Sequence, residues 1–101
     1  MKNRRGSSAL SEIKEEHAVI FDDGRVRIET IKSFGCHSPE GFWYDQFETE
    51  VVLVTKGQAV LGLEGKTVPL AAGQSYTLSP HEKHRVESTS GDCEWYCVYV
   101  K

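Results

Sequence analysis

Long apolar runs are missing from these 101 residues. No stretch approaches the roughly 20 residues that a membrane-spanning helix needs. The basic start at Lys2, Arg4 and Arg5 is followed by Ser and Gly rather than by the apolar segment of a signal peptide, and it reads as a solvated, frayed terminus. A positive excess is missing too: 12 Lys and Arg stand against 15 Asp and Glu, for a net charge of −3. That balance speaks against nucleic acid and against an anionic membrane as partners. Cysteine is scarce, with only Cys36, Cys93 and Cys97, an odd number without zinc-type spacing. If Cys93 and Cys97 share one extended strand, they lie roughly 13 Å apart, beyond the reach of a disulfide. Buried thiols in a reducing cytoplasm are the simplest reading. Nor does the chain carry a Gly-rich phosphate loop. Ser79-Pro80-His81 is not a nucleophile elbow, and the adjacent Cys36 and His37 diverge on an extended chain.

What is present suits one soluble domain, with 39% hydrophobic and 27% charged residues. From Ser8 to Phe21, Leu10, Ile13 and Ala18 recur among glutamates, which predicts a short amphipathic helix. Asp22-Asp23-Gly24 then reads as a turn, so residues 1–24 form an N-terminal extension and 25–101 the main body. After Arg25 the period becomes two, as Val26 and Ile28 alternate with Arg27 and Glu29. Val51 to Thr55 is a β-branched run closed by Lys56-Gly57. Ala59, Leu61 and Leu63 alternate with other residues up to Gly65, where a hairpin needs a positive φ. Further strands are expected at Thr67-Val68, Ser75 to Leu78, His84 to Ser88 and Glu94 to Val100. Roughly eight short strands with frequent turns predict an all-β sandwich or barrel.

Two segments carry a family resemblance. Glu50 is followed seven positions on by Gly57, and Gly73 is followed by Ser79 and then His84. These resemble the two motifs of the cupins, with Ser79 in a place where the family has proline. The resemblance runs from about Arg25 to Val100. The strings from Ser38 to Gln46 and from His81 to Val86 look like those of small single-domain bacterial cupins. It implies a double-stranded β-helix (a small jelly-roll barrel), here with the short helix outside it. Where a metal-binding cupin has two histidines, this chain has Tyr44 and Gln46, or Trp43 and Asp45, depending on the gap before Glu50. Strand parity favours Tyr44 and Gln46, whereas Asp45 is the better donor chemically.

His84 opens a strand and shares a face with Val86, so it should point inward. There it is either a metal ligand or acid–base group, or a pocket histidine bonded to Tyr or Gln. Glu50 is a metal ligand or a base with a raised pKa if it faces the interior, or else a solvated glutamate paired with Lys56 or Arg85. Trp43 and Tyr44 are candidate pocket walls, with core or dimer packing as the alternative. His81 stands where many cupins have glycine, either at the pocket mouth or on an exposed loop. His17 and His37 read as surface residues.

Two functions follow from the resemblance. One is an atypical, weak divalent-metal pocket (iron, zinc, manganese or nickel) with His84, Glu50 and Gln46 or Asp45 as ligands, acting on or binding a small polar metabolite. The other is a metal-free pocket binding a small polar metabolite without turnover. A homodimer is expected, with Tyr96, Val98 and Val100, or the strand from Arg25, supplying an edge.

Overall fold

From Glu15 onward the backbone runs in strand after strand, and the computed structural model describes residues 15–101. Eight strands follow in order: β1 (Glu15–Asp22), β2 (Val26–Ser33), β3 (Thr49–Lys56), β4 (Gln58–Leu63), β5 (Lys66–Ala71), β6 (Ser75–Leu78), β7 (His84–Thr89) and β8 (Cys93–Val100). They form two antiparallel sheets, one of five strands in the order β1-β2-β8-β3-β6 and one of three in the order β5-β4-β7. Among the described residues no helix is long and apolar enough to cross a membrane.

The period-two pattern explains the architecture. On β3 the even residues Glu50, Val52 and Val54 are buried, and on β8 the odd residues Cys93, Trp95 and Cys97. They face Ala59, Leu61 and Leu63 of the smaller sheet, and Leu70 and Leu78 close the same core. Each fully buried aliphatic side chain contributes about 1.5–3 kcal/mol relative to exposure. Pro69 lies within β5, an edge strand, where its missing N–H leaves no ladder bond unmade.

Two expectations are corrected. The helix anticipated over Ser8 to Phe21 is a strand from Glu15 onward; residues 8–14 of that expectation, and the basic residues before them, lie outside the described residues. His17 to Phe21 is rich in β-branched and aromatic side chains, and pairing with β2 from Glu15↔Ser33 to Asp22↔Arg27 overrides the weak helical period. The strands thought to offer a dimerisation edge, β8 and β2, are both interior to the five-stranded sheet. Neither has free backbone groups along its length with which to add a further strand.

Gly57, between β3 and β4, has φ +73°, and a Cβ there would crowd Ser90 Oγ, Asp92 Oδ1 and Cys93 Cα. Both constraints demand glycine.

Candidate functional site

The interior end of β3 and the start of β7 place two titratable side chains at the floor of one cavity. His84 Nε2 lies 3.4 Å from Glu50 Oε1, and both side chains are almost fully buried. Gln46 Nε2 donates to the same Glu50 oxygen at 2.7 Å. His84 Nδ1 donates to the Glu82 carbonyl oxygen at 3.0 Å, so the titrating nitrogen is the one facing Glu50. The Tyr44 ring stacks on the imidazole, with centroids 5.2 Å apart and planes 21° apart.

The segment from Tyr44 to Gln46 takes its register from the backbone. Tyr44 N donates to the His84 carbonyl at 2.7 Å and His84 N to that of Tyr44 at 3.1 Å, while His81 N donates to the Gln46 carbonyl at 2.7 Å. This antiparallel bridge turns Tyr44 and Gln46 into the cavity. Asp45 points the other way and meets His81, Oδ1 to Nδ1 at 2.8 Å. Trp43 is exposed and does not line the cavity. Arg85 steadies the preceding loop through hydrogen bonds to the carbonyls of Pro39 at 3.0 Å and Ser38 at 3.1 Å. Glu50 therefore pairs with His84, not with Lys56 or Arg85.

The cavity measures about 120 Å³, below the roughly 300–1,000 Å³ of sites for drug-sized ligands. Its walls include residues that the sequence did not single out. Trp95, Cys97 and Tyr99 come from β8, and Glu15 and His17 from β1. The signal for the first three was the parity of β8, where odd residues point inward. For His17 there was none, since its place depends on β1 being a strand. A polar relay supports this wall: Trp95 Nε1 donates to Ser33 Oγ at 3.1 Å, and that hydroxyl donates to Glu15 Oε2 at 3.1 Å. A larger depression of about 510 Å³ near Gln58, Pro69 and Ser88 has no titratable side chain in its lining.

Electrostatics bind the pair together. Burial alone pushes the Glu50 carboxyl up, but His84, Gln46 and Cys97 outweigh it and hold its pKa below the ordinary value. Burial likewise pushes the His84 imidazole down, and the Glu50 carboxylate with the Glu82 carbonyl overcomes it, leaving the pKa raised. Burial, then the Glu50 charge, drives the Cys97 thiol well above its usual value. The Tyr99 phenol is also held high, first by burial. Cys97 and Tyr99 are neutral donors at physiological pH.

A resident divalent ion does not fit this donor set. Structural and catalytic zinc sites bring at least three strong protein ligands together. Here, among the described residues, Glu50 and His84 are the two strong donors that converge, and Gln46 turns its NH₂ toward Glu50. Among the described residues no three His, Cys, Asp or Glu side chains gather in a metal-binding arrangement.

Two departures from the resembled motif have local reasons. Ser79 N donates to Glu82 Oε1 at 2.9 Å, a bond that proline cannot make. His81 has φ +63°, the left-handed conformation natural to the glycine found there in many cupins.

The Cupin domain family matches residues 38–99, more than half of the chain. The chain belongs to the cupin family. Among solved structures, this cupin is similar to a candidate mannose-6-phosphate isomerase from Ralstonia eutropha JMP134, with 29% identity and a TM-score of 0.82 over 96% of this chain and 98% of the other. It also resembles KdgF from Halomonas sp., with 15% identity and a TM-score of 0.77 over 89% and 82% of the two chains. A cupin superfamily protein from Desulfitobacterium hafniense DCB-2 is 15% identical, with a TM-score of 0.75 over 85% and 76%. The last two similarities show the fold alone. No curated protein sequence matches the chain.

Proposed function

We propose that this cupin binds a small, neutral, hydroxyl- or carbonyl-bearing metabolite in its cavity, without a resident metal, and that the His84–Glu50 pair anchors it. The observation that carries the reading is the buried pair itself, held 3.4 Å apart at the cavity floor. Burying two ionisable groups is costly, and their position gives a ligand hydroxyl both a charged donor and a charged acceptor. The stacked Tyr44 ring walls the space over His84 and suits the apolar face of a sugar-like molecule. Among the described residues no Lys or Arg lines the cavity, whereas Glu15 and Glu50 do. That charge balance disfavours phosphate esters and carboxylates. The similarity to the Ralstonia protein supports a carbohydrate-like ligand, but the charge balance favours its neutral rather than its phosphorylated form. Glu50 favours the protonated form of His84, which sets a proton donor beside a base, the equipment for proton exchange with a bound hydroxy-carbonyl compound.

The test is saturation-transfer NMR on untagged protein with short polyols, hydroxy-ketones and their phosphates, repeated with Glu50→Gln and His84→Ala. Binding of neutral members that both variants lose is the expected result. Elemental analysis of the same preparation tests the alternative of a weak ion on Glu50, His84 and Gln46. Near-stoichiometric metal that His84→Ala loses, with ligand binding only in its presence, would replace the metal-free reading.

A further inference from the structure

The carboxylate–imidazole pair at the cavity floor has a counterpart on β1. Glu50 accepts from Gln46, faces the His84 imidazole and takes the Cys97 thiol as a further donor. Glu15 is built from the same parts. Its carboxylate accepts from His17 Nε2 at 2.8 Å, from Ser33 Oγ at 3.1 Å and from the Cys36 thiol. Burial pushes the Glu15 carboxyl up, but these three donors hold its pKa below the ordinary value. Burial, then the bond to Glu15, pushes the Cys36 thiol up to about 11, which favours the neutral donor. Each carboxylate thus has an imidazole, a thiol and a neutral polar group around it. A carboxylate offers about four lone-pair sites, so both can accept from a ligand as well.

Glu15 also lies where two spaces meet. It borders the cavity of about 120 Å³ over the His84–Glu50 pair, and a second recess of about 240 Å³ lined by Cys36, His37, Ser38 and Pro39. Tyr44 and Val86 line both as well. The inner cavity has the volume of about four liquid waters, room for a triol such as glycerol and little more. Taken together, the two spaces pass the roughly 300 Å³ at which sites for larger ligands begin. We propose that they are two subsites of one cleft, and that Glu15 anchors a second hydroxyl-bearing segment of the ligand held by His84 and Glu50. The ligand is then a neutral polyol or sugar of about six carbons rather than three. This rests on the proposed binding of a hydroxylated metabolite and adds its length and its second anchor.

The outer recess has the matching chemistry. Ser38 is nearly fully buried, and its hydroxyl accepts from Val86 N at 2.9 Å and keeps its own proton to donate. His37 donates from Nδ1 to the Ser38 carbonyl at 2.9 Å, which leaves Nε2 an acceptor in the neutral ring. Pro39, Tyr44 and Val86 supply apolar surface for the C–H faces of a sugar. Among the described residues no Lys or Arg lines either space, so a phosphate group meets no cationic side chain of that kind in the cleft.

The test is a chain-length series, with glycerol, erythritol and sorbitol titrated by calorimetry and by amide NMR. Sorbitol should bind about tenfold or more tightly than glycerol. It should also shift the amides of Cys36 and Ser38, which glycerol leaves in place. Cys36→Leu fills the outer recess and removes a donor to Glu15, and should cut sorbitol affinity to that of glycerol. Cys36→Ser keeps both the space and the donor, and should bind sorbitol as the parent does. Equal affinities for glycerol and sorbitol in the parent would overturn the second subsite and leave the floor anchor standing. So would a sorbitol preference that survives in folded Cys36→Leu. The comparison within the parent needs no variant, so it decides the matter even if the leucine protein fails to fold. Binding of none of the three polyols would overturn the ligand reading itself, and this inference with it.

Discussion

His84 Nε2 and Glu50 Oε1 lie 3.4 Å apart inside a protein core, and each favours the charged form of the other against the cost of burial: the imidazole pKa is raised and the carboxyl pKa lowered. The pairing has a consequence for stability. A lowered carboxyl contributes above its unfolded value of 4.5 and loses that contribution as pH falls through its folded value. A raised imidazole contributes fully below 6.5, and the contribution fades as pH rises through its folded value. The pair therefore stabilises most between pH 4.5 and 6.5. Melting temperatures from pH 4 to 9 should show an alkaline decline that His84→Ala abolishes. An unchanged slope in that variant would assign the decline to other groups.

Gln46 is the position from which a metal site is one substitution away. Gln46→His adds a third strong donor beside Glu50 and His84, and divalent-metal affinity should rise by about 10- to 100-fold. Calorimetric titration with zinc or nickel measures it. An unchanged isotherm would mean that residue 46 does not reach the pair in solution.

His81 sits in a glycine conformation at φ +63°, held by its backbone bond to Gln46 and its contact with Asp45. His81→Gly keeps the backbone bond and relieves the conformation, so its stability should fall within about 0.5 kcal/mol of the parent. His81→Ala keeps the strain without the contact and should be about 1 kcal/mol less stable than the glycine variant. Urea denaturation of the three proteins would refute this if alanine proved the more stable of the two.

Gly57→Ala should be the harshest of these changes. The new Cβ meets the Ser90 and Asp92 side chains and the Cys93 backbone at a positive φ. A loss of roughly 3 kcal/mol combines the conformational and steric costs. For a domain of this size that lowers the melting temperature by about 10 °C or more, readable by circular dichroism. A shift of a degree or two would show that the β3–β4 turn yields easily.

Much of the barrel was legible because a half-buried strand writes its geometry into alternate residues. Ser75–Leu78 falls where the pattern set it, and the inward direction of His84 follows from parity with Val86. The first strand was not legible: Leu10, Ile13 and Ala18 fit a helical period, and only pairing with β2 makes Glu15–Asp22 extended. The choice between Tyr44/Gln46 and Trp43/Asp45 was open for a related reason, since a turn before Glu50 was compatible with either parity.

By itself, then, the sequence determined the strands after the first, the glycine turns and the inward direction of His84, because these depend on neighbours one or two residues away, and it left Glu50 between the interior and solvent. The tertiary structure alone decided that β8 lies at the centre of its sheet and that His17 of β1 helps to wall the cavity. It also decided that Gln46 rather than Asp45 reaches Glu50. Each of these depends on which distant strands pair and in what register, and no local period records that.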